Sequence, residues 1–201
     1  MSRKPPYQWL ADVGSIALVV FVIAAYRFFP QSMPSWTFTL ASLLAVLVLV
    51  AVVTELVLMF RDYRAGYFYP MRNASFFLLL LSLLAVPAYL AYAWITGLYL
   101  GPATLLLIPV YLTLVTRNLF RVRLDSLSLR TKTGFRAPRE VPLFNIEEVI
   151  VAEDKITVRP DGQPPIQLLR VFFFPTHWEA IRTRLSSLRG SGGASIPDPR
   201  K

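Results

Sequence analysis

The chain has 201 residues, of which 55% are hydrophobic and only 16% are charged, and its mean hydropathy is +0.50. Soluble domains carry about 25% charged residues, so this composition excludes an ordinary soluble protein. The sequence contains no cysteine, which excludes disulfides, thiolate nucleophiles, zinc fingers and iron–sulfur clusters. The net charge of +9 comes from 17 arginines and four lysines against 12 acidic residues.

Long uncharged runs predict membrane helices in the first part of the chain. Residues 28–54 contain no charged side chain, and residues 73–116 contain none over 44 positions. About 20 apolar residues cross a hydrocarbon core of about 30 Å as a helix. The second run is therefore long enough for two spans, which Gly97, Gly101 and Pro102 separate. An earlier apolar stretch, about residues 9–29, predicts one more span, although it contains Asp12 and Arg27. We therefore predict four spans, which cover about these ranges: 10–29, 36–59, 75–95 and 100–117.

The first span could instead be a cleaved signal peptide, because Arg3 and Lys4 precede its apolar stretch. However, no clear small-residue cleavage site follows, and Asp12 interrupts the transition into the apolar region. We therefore interpret this segment as an uncleaved membrane helix.

Basic residues collect on one side of the predicted spans. They occur at the N-terminus, in the loop of residues 61–72 and directly after the fourth span, whereas the turn of residues 96–102 has none. Cytoplasmic loops carry such an excess of arginine and lysine. We therefore predict that both termini are cytoplasmic, as an even number of spans requires. The predicted location is the cytoplasmic (inner) membrane of a bacterium.

Glu55 is the one acidic residue well inside a predicted span. It could relay a proton or bind a cation, since ionisable residues inside membranes are commonly functional. Alternatively, it lies close enough to the cytoplasmic end of the second span to reach water or a neighbouring arginine, such as Arg61 or Arg64. We favour this second interpretation.

After the fourth span, the periodicity of the sequence changes from helical to alternating. Val122 and Leu124 alternate with arginines, and the phase slips at Asp125 and Ser126, which predicts a turn there. Turn-forming residues separate the short segments that follow. We expect an antiparallel meander whose later strands are these: Arg139–Leu143, Val149–Glu153, Lys155–Arg159 and Pro165–Arg170.

One amphipathic helix is predicted to close this region. Thr176 and Glu179 have the spacing of a capping box. An apolar stripe follows at spacings of three and four, formed by Trp178, Ile181, Leu185 and Leu188. We expect the stripe to cover the open face of the sheet, although a helix lying on the lipid surface is the alternative. Residues 190–201 are predicted to form a disordered tail.

The order of these strands and the final helix resembles a pleckstrin-homology-like domain, and more narrowly the bacterial membrane-anchored YcxB-like family. The residues that carry the resemblance are the segments 125–129, 141–146 leading into 149–151, and 166–170 with 172–174. The resemblance implies a small α+β domain over residues 118–189, an antiparallel sheet or partial barrel capped by one C-terminal helix. It also implies a binding or scaffolding module and not a catalyst.

The sequence offers no constellation for catalysis. It lacks a glycine-rich phosphate loop, an HExxH motif and a carboxylate pair with a base. The single histidine, His177, is interpreted as an exposed residue at the start of the last helix, with a proton switch as the alternative. The acidic pairs at residues 147–148 and 153–154 could bind a divalent ion, but we interpret them as solvated. We expect no metal, no cofactor and no enzymatic activity.

The segment of residues 117–139 is strongly basic, because it carries seven basic residues against one acidic residue, Asp125. Basic residues near an anionic leaflet contribute about 1 kcal/mol each to membrane association. The candidate lipid-headgroup ligands are Arg117, Arg121, Arg123, Arg130, Lys132, Arg136 and Arg139. The alternative is that these charges only enforce topology. Nucleic-acid binding is not expected, since no aromatic and basic platform is present.

These patterns predict a non-enzymatic integral membrane scaffold, assembly factor or regulatory protein. Its cytoplasmic domain would contact anionic lipid headgroups, or another membrane or cytoplasmic protein. The alternative from a different class is a small transporter, or a subunit of a transport complex, with Glu55 as its intramembrane polar site.

Overall fold

The computed structural model describes residues 5–27, 34–98, 100–133 and 138–192. The chain divides into two compact units. The helical unit comprises residues 1–62 and 77–119, and the β unit comprises residues 63–76 and 120–201. Helices and antiparallel sheets together make the protein an α+β mixture.

Four apolar helices correspond to the four predicted spans. Their bounds are Pro6–Arg27 for α1, Ser35–Arg64 for α2, Ala74–Thr96 for α3 and Pro102–Arg117 for α4. The first three are long and apolar enough to cross a membrane. With 16 residues, α4 is shorter, and at 1.5 Å per residue it extends over about 24 Å.

Small residues allow the helices of the helical unit to pack closely. A Cβ atom on Gly14 of α1 would collide with the Val48 side chain of α2. Ala41 and Ala45 of α2 are also buried, as their small-xxx-small spacing predicts. By contrast, leucines on the outer faces of the helices are more than half exposed, among them Leu81. This arrangement suits helices that are surrounded by lipid.

The β unit contains two antiparallel sheets. The first has the order β1-β2-β3-β4 and the second the order β5-β6-β7. The strands of the first sheet are Phe68–Pro70, Arg121–Leu124, Ser128–Lys132 and Arg139–Pro142. Those of the second are Ile146–Val151, Lys155–Pro160 and Ile166–Leu169. The sequence therefore identified β2 to β7, with differences of a few residues at their ends.

Strand β1 was not predicted, because residues 61–72 were interpreted as a loop. Phe68 and Tyr69 are buried, and β1 pairs with β2 in the register Tyr69 opposite Val122. The helices α3 and α4 lie between β1 and β2 in the sequence. Pro70 has no backbone N–H group to donate. It is tolerated because β1 is an edge strand of its sheet, so that a proline there does not interrupt the hydrogen bonds between interior strands.

The final helix, α5, extends from Pro175 to Gly192. Trp178 N–H donates to the carbonyl of Phe174, so Pro175 is the first helical residue and Thr176 is not the N-cap that was predicted. The helix continues two residues into the predicted tail, and residues 193–201 lie outside the described part of the chain.

Both sheets and α5 contribute to one apolar core. Trp178, Ile181 and Leu185 are at most 1% exposed and pack among strand residues such as Ile156 and Leu168. The apolar stripe of α5 was expected to cover the open face of the sheet. The alternative, a helix that lies on lipid through the same residues, is wrong for these three side chains because they are enclosed by protein.

Candidate functional site

One face of the first sheet gathers basic side chains. On β2, Val122 and Leu124 point into the core, so the arginines between them point to the opposite face, and β3 continues the same alternation. Four of the seven predicted lipid-headgroup ligands share this outer face. They form what we call the cationic face: Arg121, Arg123, Arg130 and Lys132.

The strand register places like charges directly opposite each other on the cationic face. Arg121 is paired with Lys132, and Arg123 is paired with Arg130. Directly opposed side chains have Cβ atoms about 5 Å apart, and like charges at this distance are destabilising. The register alone would therefore make the members of each pair repel each other, and a negatively charged group close to both members would reduce that repulsion.

Two acidic residues partly balance the cationic face. Glu140 of β4 lies opposite Arg130 and forms an ion pair with it at 2.7 Å. Asp125, in the turn between β2 and β3, approaches the Arg123 guanidinium at 4.0 Å. Arg123 and Arg130 therefore each have a carboxylate close to their guanidinium groups.

Asp125 also organises the turn at the end of the cationic face. Its carboxylate accepts hydrogen bonds from the backbone N–H groups of Leu127 and Ser128, at 3.0 and 2.7 Å. Partial burial alone would raise the pKa of Asp125, but these two hydrogen bonds, the Ser128 hydroxyl and the Arg123 charge outweigh it and lower the pKa. The carboxylate is therefore ionised at neutral pH and stabilises the predicted turn.

The other three candidate ligands do not lie on the cationic face as described. Arg139 is paired in register with Thr131, whose side chain is buried, and its guanidinium donates to the carbonyl of Pro164 at 3.1 Å. Arg136 lies outside the described residues. Arg117, the last residue of α4, belongs to the helical unit.

Arg117 is the centre of an ionic cluster that connects three helices. Its Nε donates to Asp12 of α1 at 2.6 Å, its Nη1 donates to Glu55 of α2 at 2.6 Å, and its Nη2 donates to the carbonyl of Gln8 at 3.1 Å. Glu55 is only 4% exposed. We refer to Asp12, Glu55 and Arg117 as the ionic cluster.

The ionic cluster gives Glu55 an arginine partner, Arg117, whereas the sequence had suggested water or a neighbouring arginine such as Arg61 or Arg64. Charge-assisted hydrogen bonds to arginine allow a carboxylate to be tolerated away from water. The geometry of the ionic cluster therefore explains how Glu55 can be buried in the apolar helical unit.

His177 is half-buried, which corrects the expectation of an exposed residue. Its ring makes edge-on contacts with the rings of Tyr63, Tyr69 and Phe174, at centroid distances of 5.4–5.8 Å. Its Nδ1 is buried without a hydrogen-bond partner among the described residues. Burial lowers the pKa of His177, because the protonated ring loses hydration in this aromatic setting.

The acidic pairs considered for a divalent ion remain dispersed. Glu148 forms an exposed ion pair with Arg159 at 2.7 Å. The backbone carbonyl of Asp154 accepts the N–H of Arg170. Within the residues that the structure describes, no three side chains of histidine, aspartate or glutamate converge as metal ligands.

Comparison of the chain with protein-family models, with curated proteins and with solved structures finds no match. The functional argument therefore depends on the two units themselves, and above all on the cationic face and the ionic cluster.

Proposed function

We propose that the protein is a four-span integral protein of the bacterial cytoplasmic membrane with a pleckstrin-homology-like cytoplasmic domain. In this proposal, the cationic face binds anionic lipid headgroups, and the protein acts as a non-enzymatic scaffold, assembly factor or regulator. The observation that carries the proposal is the pairing of like charges across β2 and β3. An anionic bilayer surface is the ligand that would relieve this repulsion over several residues at once.

The position of the cationic face in the chain supports a lipid ligand. Arg121 is only four residues beyond Arg117, where α4 ends, and four residues span at most about 14 Å. The pair formed by Arg121 and Lys132 is therefore held close to the end of an apolar helix. The surface potential of an anionic leaflet acts within about a Debye length, about 8–10 Å at physiological salt.

The topology of the proposal follows from the distribution of arginine and lysine. The basic N-terminus, the basic loop between α2 and α3 and the basic segment after α4 would all face the cytoplasm. The resemblance to a pleckstrin-homology-like domain is supported by the succession of antiparallel strands and one closing amphipathic helix in the β unit.

The headgroup interaction can be tested by amide hydrogen exchange on the full chain in lipid nanodiscs. We expect β2 and β3 to exchange more slowly in phosphatidylcholine with phosphatidylglycerol than in phosphatidylcholine alone, and the difference to shrink at high salt. The double variant Arg121→Gln/Lys132→Gln should lose this lipid dependence. At about 1 kcal/mol per charge, the two substitutions correspond to about 30-fold weaker headgroup association.

A control of matched charge is Arg159→Gln/Arg182→Gln, because both arginines are exposed and each lies beside a glutamate elsewhere in the β unit. This control should retain the lipid dependence of β2 and β3. Equal exchange of wild type in the two lipid mixtures would refute headgroup binding, as would an equal loss in both double variants.

A further inference from the structure

The connection between β7 and α5 exposes apolar side chains that the core does not require. It forms a 3-10 turn over Arg170–Phe172. Val171 is 71% exposed and Phe172 is 43% exposed, whereas the next residue, Phe173, is buried beside Trp178. We refer to Val171 and Phe172 as the apolar tip.

A backbone hydrogen bond and a neighbouring aromatic contact attach the apolar tip to the segment that leads into α3. The backbone N–H of Arg72 donates to the carbonyl of Phe172 at 2.7 Å. Two residues after Phe172, the ring of Phe174 packs edge-on against the ring of Phe76, with ring centroids 5.5 Å apart. Both Arg72 and Phe76 belong to the β unit, and α3 begins at Ala74.

This attachment limits where the apolar tip can lie relative to a bilayer. The helix α3 is long and apolar enough to cross a membrane, and Arg72 precedes its first residue by only two positions. A residue at the start of such a helix lies in the interfacial region, where aromatic and arginine side chains are enriched. Phe172, bonded directly to Arg72, is therefore held near the same depth.

The charges around the apolar tip suit an interfacial position. Arg72 and Arg170 line a cavity of about 470 Å³ together with Val171 and one acidic residue, Asp154. Arginine can bury its aliphatic stem along apolar surface while its guanidinium remains at headgroup level. Interfacial amphipathic helices combine apolar and basic side chains in this way and bury their apolar face about 5–10 Å into the boundary between headgroups and acyl chains. The apolar tip presents the same combination on a short turn.

We propose that the apolar tip inserts into the bilayer interface, with Arg72 and Arg170 at the level of the lipid phosphates. The β unit then contacts the membrane through a second site that is apolar and distinct in sequence from the cationic face. This inference depends on the membrane-spanning role proposed for α3, but it does not require that the cationic face binds headgroups.

The absence of cysteine from the sequence makes a direct test possible. Single substitutions Val171→Cys and Phe172→Cys would carry an environment-sensitive fluorophore in the full chain, reconstituted in phosphatidylcholine nanodiscs. We expect blue-shifted emission and quenching by nitroxides placed shallow in the acyl chains. Quenching by aqueous iodide should be at least about threefold weaker than for a label in water, because the interface excludes the anion.

Matched controls come from Leu127 and Phe144, which are 75% and 87% exposed. They lie near the turn between β2 and β3, at the end of β2 opposite to Arg121, and the Leu143 N–H donates to the carbonyl of Leu127. Labels introduced by Leu127→Cys and Phe144→Cys should report water. If labels at positions 171 and 172 are as accessible to iodide as these controls, the apolar tip does not insert and serves another contact, such as one with protein.

The test also separates this inference from headgroup binding. Insertion of the apolar tip should persist in pure phosphatidylcholine and in the Arg121→Gln/Lys132→Gln variant, because it is driven by apolar burial. The protection of β2 and β3 by anionic lipid should be absent under both conditions. If the label at position 172 leaves the bilayer whenever the cationic face is neutralised, independent insertion is refuted.

Discussion

The two units of this protein bury opposite kinds of side chain. In the helical unit, leucines such as Leu81 and Leu84 face outwards, while the ionic cluster with its buried Glu55 lies among the helices. In the β unit, apolar residues such as Ile156 fill the core, and ion pairs such as Arg159 with Glu148 are exposed. The contrast indicates that the two units have different surroundings. Apolar side chains that face lipid gain no hydrophobic free energy from burial, whereas apolar side chains that face water do.

It follows that the two units should depend on different interactions for stability. The β unit should depend on hydrophobic burial, and the helical unit on close packing, interhelical hydrogen bonds and the ionic cluster. Ser15 of α1 donates to the hydroxyl of Thr113 in α4 at 3.2 Å, and Ser82 of α3 is within 2.8 Å of the Tyr111 hydroxyl in α4. These contacts are typical of helices that associate within a bilayer.

The largest expected effect comes from Trp178→Ala, which would empty the centre of the β core. Trp178 is 1% exposed, and removal of such an aromatic side chain costs about 3–5 kcal/mol. We expect the amides of β5 and β6 to exchange much faster, while those of α1 and α2 remain unchanged. The matched control is Trp94→Ala in α3, since Trp94 is 89% exposed. Equal acceleration in α1 would contradict separate stabilisation of the two units.

The second prediction concerns the ionic cluster. Arg117→Gln leaves Glu55 buried beside Asp12 without its cation, and breaking a buried ion pair in this way costs about 3 kcal/mol or more. We expect faster exchange in α1 and α4 and a lower midpoint of unfolding in detergent, with β5 and β6 unaffected. Arg27→Gln is the control, because Arg27 is exposed in the last turn of α1.

The variant Glu55→Gln separates the structural role of the ionic cluster from transport. If Glu55 serves only to pair with Arg117, the double variant Glu55→Gln/Arg117→Gln should be more stable than Arg117→Gln, because it removes the buried charge of Glu55 and leaves only the more exposed Asp12 without its arginine. Neither variant should alter proton flux into liposomes measured with an internal pH dye. A loss of flux in Glu55→Gln with unchanged stability would favour the transporter alternative.

The helices and most strands could be predicted because their signals are local. Long apolar stretches mark α1 to α4, and the alternation of Val122 and Leu124 with arginine predicts which side of β2 is buried. Strand β1 could not be found in this way, since it has three residues and includes Pro70. Its partner, β2, lies beyond two helices in the sequence, so only the tertiary structure stabilises it.

The candidate sites also differ in whether a local sequence pattern reveals them. The cationic face follows from period-2 alternation once the β2–β3 hairpin is assumed. The role of Arg117 does not, because Asp12 and Glu55 are 105 and 62 positions away and no local pattern links them. The apolar tip was missed because an exposed Phe172 and a buried Phe173 are indistinguishable in a run of three phenylalanines.

The smallest expected effect is a dependence of β-unit stability on pH that arises from His177. The pKa of His177 is lowered in the folded state, so the unfolded chain binds the proton more readily. The contribution of the neutral ring is complete above the ordinary histidine pKa of about 6.5 and is lost as the pH falls through the lowered folded value. His177 is the one histidine of the sequence, so no other histidine contributes to this pH dependence.

His177→Gln should therefore flatten the pH dependence of β-unit stability between neutral and mildly acidic pH, as measured by exchange of α5 at several pH values. Loss of stability at more acidic pH should remain, because Asp125, whose pKa is also lowered, is protonated there and releases the turn it holds. A matched change on the same helix is Glu179→Gln, which alters an exposed side chain one turn from Arg182. An unchanged slope in His177→Gln, or an equal slope in the helical unit, would show that aromatic burial of the imidazole does not distinguish the two units.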